Sequence, residues 1–226
     1  MTVTGDQYIG HIAAKYPLAT RVFARHQIDF CCGGGKTLHD VCATKGLHTE
    51  SIVNEILNEL EKPRLNLSQW DKAKLDDLID HILVDYHRPL SEELPRLVAM
   101  AQKVLNAHKD KDPETLTELA DVILGLQTEL HQHMAKEEQI LFPVIKEGKG
   151  AMADGPIAMM HREHESAGAA LKRLRELTHD YDVPANACNT WRALWHGLAA
   201  LEASLHQHIH LENNILFPRA LSEGTL

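Results

Sequence analysis

Two stretches of the chain, LHQHMAKEEQILFP (130–143) and LHQHIHLENNILFP (205–218), keep two histidines, one glutamate and an Ile-Leu-Phe-Pro ending at the same offsets while the intervening letters change. On a helix, residues at i and i+4 lie about 40° apart on one face, a turn along the axis. His133 with Glu137 and His208 with Glu212 are such pairs. Each continues an apolar stripe: Leu126, Leu130, His133, Glu137 and Leu141 in one, Leu201, Leu205, His208, Glu212 and Leu216 in the other. A buried carboxylate beside a buried imidazole is costly unless positive charge compensates it. A structural ion pair explains one such case; a bound metal explains both. His131, His206 and His210 fall off the stripes and are expected in solvent.

Two further histidines share the inward pattern. Ile79, Leu83, His87, Leu90 and Leu94 trace one face, and Met160, His164, Ala167, Leu171 and Leu174 another, whereas His81 groups with Asp77 and Asp85, and His161 with Glu165, on polar sides. HRPLSEELPRL from His87 aligns with HESAGAALKRL from His164, so residues 78–148 and 155–220 read as two copies of one helical hairpin. Each copy supplies one His from its first helix and His-x-x-x-Glu from its second. Pairing the copies about a pseudo-two-fold axis puts four His and two Glu inside a four-helix bundle. Six donors are too many for one tetrahedral zinc and of the wrong kind for calcium. Two metals sharing both carboxylates fit, with room for an oxo or hydroxo bridge and an open position for a small molecule. Nitrogen and oxygen donors without thiolate suit iron or manganese, and the nitrogen-rich set favours iron. Glu129, one turn before His133, and Glu163, beside His164, are read either as lining a route to the metals or donating protons there, or as ordinary solvated glutamates. Phe142 and Phe217 are expected to close the bundle, with Pro143 and Pro218 ending the regular helix.

Cys31 and Cys32 precede GGGKTL, where three glycines permit tight backbone geometry and Thr37 can cap the following helix. That helix N-terminus, with Lys36 beside it, is expected to lower a thiol pKa. The pair reads either as reactive thiols, serving electron supply, metal transfer or nitrosothiol exchange, or as two small residues in a turn. The glycine run lacks the full spacing of a phosphate loop. Cys42 and Cys188 read as packing residues.

The elements that must position these residues are all helical, since apolar residues recur at three and four from residue 68 onward with no period-2 run. Helices are predicted at about 69–106, 114–145, 156–179 and 186–220, separated by KDKDP, GKGAMADGP and DYDVPAN. Pro89 and Pro95 should kink or split the first. EKPRLNLSQ (61–69) reads as a linker. Before it lies a small helical domain, residues 1–62, with helices near 7–26 and 38–60 flanking the cysteines; the bundle occupies 70–222.

Composition bounds the function. The 226 residues carry a formal charge of −9 with scattered Lys and Arg, which excludes the basic footprint of a nucleic-acid binder. There is no secretory n-region and h-region and no long uncharged apolar run, so a cytoplasmic protein without membrane association is expected. Four cysteines, two of them adjacent, are no disulfide framework. The 16 histidines, against 4 Phe and 4 Tyr, stand out from an otherwise ordinary globular composition.

With IDFCCGGGKTL, IDHILVDYH, HMAKEEQILFP, EHESAG and HIHLENNILFP, the chain resembles the family of di-iron iron-sulfur cluster repair proteins over nearly its whole length. The resemblance implies a hemerythrin-like domain with a non-haem di-iron centre on His87, His133, Glu137, His164, His208 and Glu212, both glutamates bridging. It implies a cytoplasmic stress protein that restores clusters damaged by nitric oxide or peroxide, by donating iron to the damaged proteins. Glu129 and Glu163 would lie along access routes, and Cys31 and Cys32 would be the functional thiols. Gly35 and Pro89 depart from the commonest pattern. A monomer or homodimer is expected. Nitric oxide reduction, or binding and sensing of nitric oxide or oxygen, is the alternative. A simple carrier needs no Cys-Cys arm, however, and a reductase needs an electron donor that this chain does not contain, so repair ranks above a classical enzyme.

Overall fold

The computed structural model describes residues 2–61 and 70–223. Among them there is no strand, only an isolated bridge between Tyr8 and Thr37. The helices are α1 (Ile9–Lys15), α2 (Ala19–Arg25), α3 (Leu38–Lys45), α4 (Thr49–Glu61), α5 (Leu75–Ile82), α6 (Arg88–His108), α7 (Pro113–Lys136), α8 (Phe142–Lys146), α9 (Asp154–Leu177), α10 (Asn189–Leu211) and α11 (Phe217–Glu223). None of the described helices is long and apolar enough to cross a membrane. The predicted linker at 61–69 falls almost wholly outside the described residues.

Contacts divide the chain into two compact units, one of Met1–Asp80, Ile145–Met152 and His206–Leu226, the other of His81–Val144 and Ala153–Leu205. In the first, α1–α4 form a small N-terminal domain around Ile9, Ile12, Val22, Phe23, Phe30 and Ile56. Each helix predicted there is broken in two. Pro17 lies between α1 and α2, and α3 ends on Gly46, whose φ of 66° turns the chain out of the helix in a left-handed conformation that glycine adopts without steric cost. Thr37 caps α3 as predicted, its Oγ1 accepting from the Asp40 N–H at 3.1 Å.

The second unit holds two helical hairpins of a four-helix bundle, α6–α7 and α9 with α10 as far as Leu205. Its core interleaves one row from each helix, with Leu94, Ile123, Leu171 and Leu198 all buried. This is the stripe-on-stripe burial that the 3.6-residue period demanded.

Three five-residue π-helical turns interrupt the long helices, at Leu83–His87, Glu137–Leu141 and Glu212–Leu216. The N–H groups of Arg88, Phe142 and Phe217 reach back five residues, to the carbonyls of Leu83, Glu137 and Glu212. Two residues beyond each turn stands a proline: Pro89, Pro143 or Pro218. A proline cannot donate to the carbonyl four residues back, and its ring crowds that oxygen. Here that carbonyl belongs to Asp85, Gln139 or Asn214, inside the widened turn, so the conflict is relieved without breaking the rod. The expectation that Pro143 and Pro218 end the helix is therefore corrected, since helix resumes as α8 and α11. At Pro95 α6 continues without being split.

Candidate metal centre

His87 closes the first π turn, and Glu137 and Glu212 open the other two, so each of the three π turns carries one of the residues singled out by spacing. Such turns gather at functional sites because they shift a side chain out of the regular register. His133 lies on α7, His164 on α9 and His208 on α10. All six are buried, the histidines 1–2% exposed and both glutamates 0%. Nε2 of His87 is 3.4 Å and Nε2 of His133 3.2 Å from Glu137 Oε2, while His208 Nε2 is 3.0 Å from Glu212 Oε1. Nε2 of His164 faces Nε2 of His133 at 3.1 Å.

The donor atoms fall into two groups, each mutually within 4.8 Å: His87, Glu137, His208 and Glu212 in one, His133, Glu137, His164 and Glu212 in the other. Both glutamates belong to both groups. Two imidazole nitrogens held about 2.1 Å from one ion in adjacent coordination positions lie about 3 Å apart, which is the His133–His164 spacing. Nitrogen and carboxylate donors closing on a point inside an apolar bundle fit a metal centre.

The outer ring nitrogens are held by acids. His87 Nδ1 donates to Glu138 Oε1 at 2.8 Å and His133 Nδ1 to Glu163 Oε2 at 2.9 Å. A carboxylate on Nδ1 fixes the tautomer, leaves the Nε2 lone pair facing inward and makes it a stronger donor. Lys136 also pairs with Glu163. Burial raises the Glu163 carboxyl, but Lys136 and His133 together outweigh it and hold the group below the ordinary carboxylate range. Glu129 is exposed and accepts from Ser166 Oγ at 2.9 Å, so it orients none of the four imidazoles.

The thiol turn belongs to the first unit. Cys31 is buried and Cys32 partly exposed, and their Sγ atoms are 3.9 Å apart. Asp29 Oδ1 accepts from the N–H of Cys31 at 3.1 Å, from the N–H of Cys32 at 2.9 Å and from the Cys31 thiol at 3.0 Å. The expectation of a lowered thiol pKa is overturned for Cys31. Its hydrogen bond with Cys32, its burial and its electrostatic interaction with Cys32 and Asp29 push it far up. Lys36 and the start of α3 do not offset those neighbours.

Directly after Glu212, Asn213 and Asn214 grip this turn. Asn214 Nδ2 donates to the Phe30 carbonyl at 3.0 Å and to the Cys31 carbonyl at 3.3 Å, and Asn213 Nδ2 to the Cys31 carbonyl at 3.4 Å. A Cβ at Gly10 or Gly34 would come within 2.3 Å of Asn214 Oδ1, so both glycines are needed for this approach.

Residues 78–220 match the model of the Hemerythrin HHE cation binding domain, and residues 5–61 that of a Domain of Unknown function (DUF542). A protein of Citrobacter koseri named "Iron-sulfur cluster repair protein YtfE" is 43% identical over 217 residues, covering 96% of this chain and 97% of its own. The protein of the same name from Escherichia coli (strain K12 / DH10B) matches to the same extent. The chain belongs to the YtfE family. The hemerythrin match of this family contains all six converging residues, and the DUF542 match contains Cys31 and Cys32.

Two features of this family member's fold depend on long-range packing. Glu138, which orients His87, is adjacent to Glu137, but its partner is fixed only by the packing of a distant helix. Its counterpart in the repeat, Asn213, is spent on the thiol turn instead. His210 is buried rather than solvated, and His206 is half-buried. Both rings lie edge-on to Phe30, at 6.3 and 5.5 Å, and His210 is 3% exposed with Asn214 Nδ2 3.1 Å from its Nδ1. The N-terminal domain covers this face of the helix, and burial pushes His210 down to about 4.

Proposed function

We propose that His87, His133, Glu137, His164, His208 and Glu212 hold two iron ions. The protein would then repair iron-sulfur clusters damaged by nitrosative or oxidative stress in the cytoplasm, by giving up iron to the damaged protein. The observation that carries this reading is the membership of Glu137 and Glu212 in both donor groups. Two carboxylates common to two groups are placed where they could serve two ions at once, which supports reading them as shared ligands. The names of the relatives supply the repair context. Nitrogen and oxygen donors without thiolate hold iron less tenaciously than a thiolate cage, as an iron donor requires.

When bound, the pair of ions supplies exchangeable iron and coordination positions for nitric oxide or oxygen. The chain's own residues manage the charge left behind. Loss of an ion uncovers two imidazoles and two shared carboxylates in an apolar interior. Of the four histidines, His87 and His133 keep an acid on Nδ1, Glu138 and Glu163, which would favour a proton arriving at their Nε2 atoms. Glu163 and Glu138 are partly exposed, so both reach solvent protons.

The test uses protein purified without oxygen and with its iron counted. It is mixed with an enzyme whose four-iron cluster has been damaged by nitric oxide. Reactivation at the expense of the repair protein's iron is expected, and Glu137→Ala protein should not reactivate. Consumption of nitric oxide with a supplied reductant and no reactivation would replace donation by nitric oxide chemistry. Glu138→Ala is expected to weaken iron binding about 10–100-fold while leaving the fold intact, read by competition with a chelator of known affinity.

A further inference from the structure

The hemerythrin domain leaves the Cys31–Cys32 turn without a role, yet the turn is built with more care than two small residues need. An Asp29 carboxylate oxygen and the two Sγ atoms lie within 4.8 Å of one another. Asp29 is fixed by both backbone N–H groups of the pair. A Cβ at Gly33 would come within 2.5 Å of the Asp29 carbonyl oxygen, so the tight return of the chain depends on glycine there. Asn213 and Asn214 hold the turn from the other side.

We propose that Asp29, Cys31 and Cys32 form a second metal site, open to solvent, that takes a thiophilic divalent ion such as ferrous iron or zinc in passing. The Sγ atoms, 3.9 Å apart, are far from the 2.05 Å of a disulfide. Two thiolates each about 2.3 Å from one ion at a tetrahedral angle are about 3.8 Å apart, so a shared ion suits the spacing without moving the backbone. Three protein donors leave a position open, the mark of an exchange site rather than a structural one. Cys32 and Asp29 face solvent, so an incoming thiolate from a damaged protein can reach the ion. Binding replaces each S–H bond by an S–metal bond and releases both protons to water, with no change of oxidation state. The crowding of Asp29 and Cys32 against Cys31 that disfavours a lone thiolate is relieved by a cation.

The purpose of the site, passing iron outward, rests on the donation reading above; its chemistry does not. Full-length, iron-loaded protein is titrated anaerobically with cobalt(II) alone. One equivalent is expected to raise a thiolate-to-cobalt charge-transfer band. Cys31→Ser/Cys32→Ser should lose the band, Asp29→Asn should weaken binding at least about tenfold, and Glu137→Ala should retain it. Cys32→Ala, at a partly exposed position, covers the case in which replacing buried Cys31 disturbs folding; it too should lose the band. Absence of the band in the natural protein, or its persistence in the double variant through Cys42 or Cys188, would overturn the site. A band that stands while reactivation of the damaged enzyme fails would leave the site intact and remove donation instead.

Discussion

Glu137→Ala is expected to empty the bundle of iron, whereas His87→Ala should leave one ion behind. Glu137 belongs to both donor groups and His87 to one, so the two variants remove different things. Without Glu137 each group loses an oxygen donor, and two ions held there would lose a carboxylate common to both, leaving their mutual repulsion at close range offset by a single carboxylate. Without His87, the group of His133, Glu137, His164 and Glu212 keeps all four members. Iron counted per chain by elemental analysis of anaerobically purified protein reads the result directly, with circular dichroism to establish that the helices persist. Glu212→Ala should behave as Glu137→Ala does. A Glu137→Ala protein that retained one tightly bound ion would mean that the carboxylates are not shared, and the two-ion reading would fall.

The six converging residues were legible because each sits where a 3.6-residue period, continued from leucines, puts it inside. Leu130, His133 and Glu137 follow one another on a stripe whose burial the bundle enforces, and no long-range knowledge is needed to place them. Period alone cannot report a π turn. The signal was nonetheless present as Pro89, Pro143 and Pro218, each at the same distance past a turn that relieves its clash. What the sequence did not disclose was whatever depended on a second surface. His210 lies off the buried face of a bundle helix, where the period alone predicts solvent, but Phe30 covers that side. Glu138 gains its role only through the distant His87 that packs against it. Asp29 stood two residues before Cys31 in plain view, yet only the folded turn shows its carboxylate bent back onto both N–H groups and the thiol, reversing the expected shift.

Phe142→Ala should lose about 3–5 kcal/mol of stability and, unlike an ordinary core truncation, also loosen the metal. The ring is 2% exposed and stacks on His87 with centroids 5.7 Å apart and planes 28° from parallel. Removing it opens a cavity beside an imidazole that Glu138 steers from a single nitrogen, so His87 gains rotational freedom that binding must then remove. Ile123→Ala is the control: also fully buried, on α7, in the apolar core cluster that contains none of the six residues. It should cost about 2–5 kcal/mol by the same cavity mechanism. The two are separated by measuring urea unfolding of iron-loaded and chelator-stripped protein. Metal bound only to the folded state adds about 2.7 kcal/mol at a free concentration 100 times the dissociation constant, and less as binding weakens. The gap between loaded and stripped forms should therefore narrow in Phe142→Ala and stay unchanged in Ile123→Ala. An equal gap in both would show that Phe142 only fills space and that Glu138 alone suffices to hold His87.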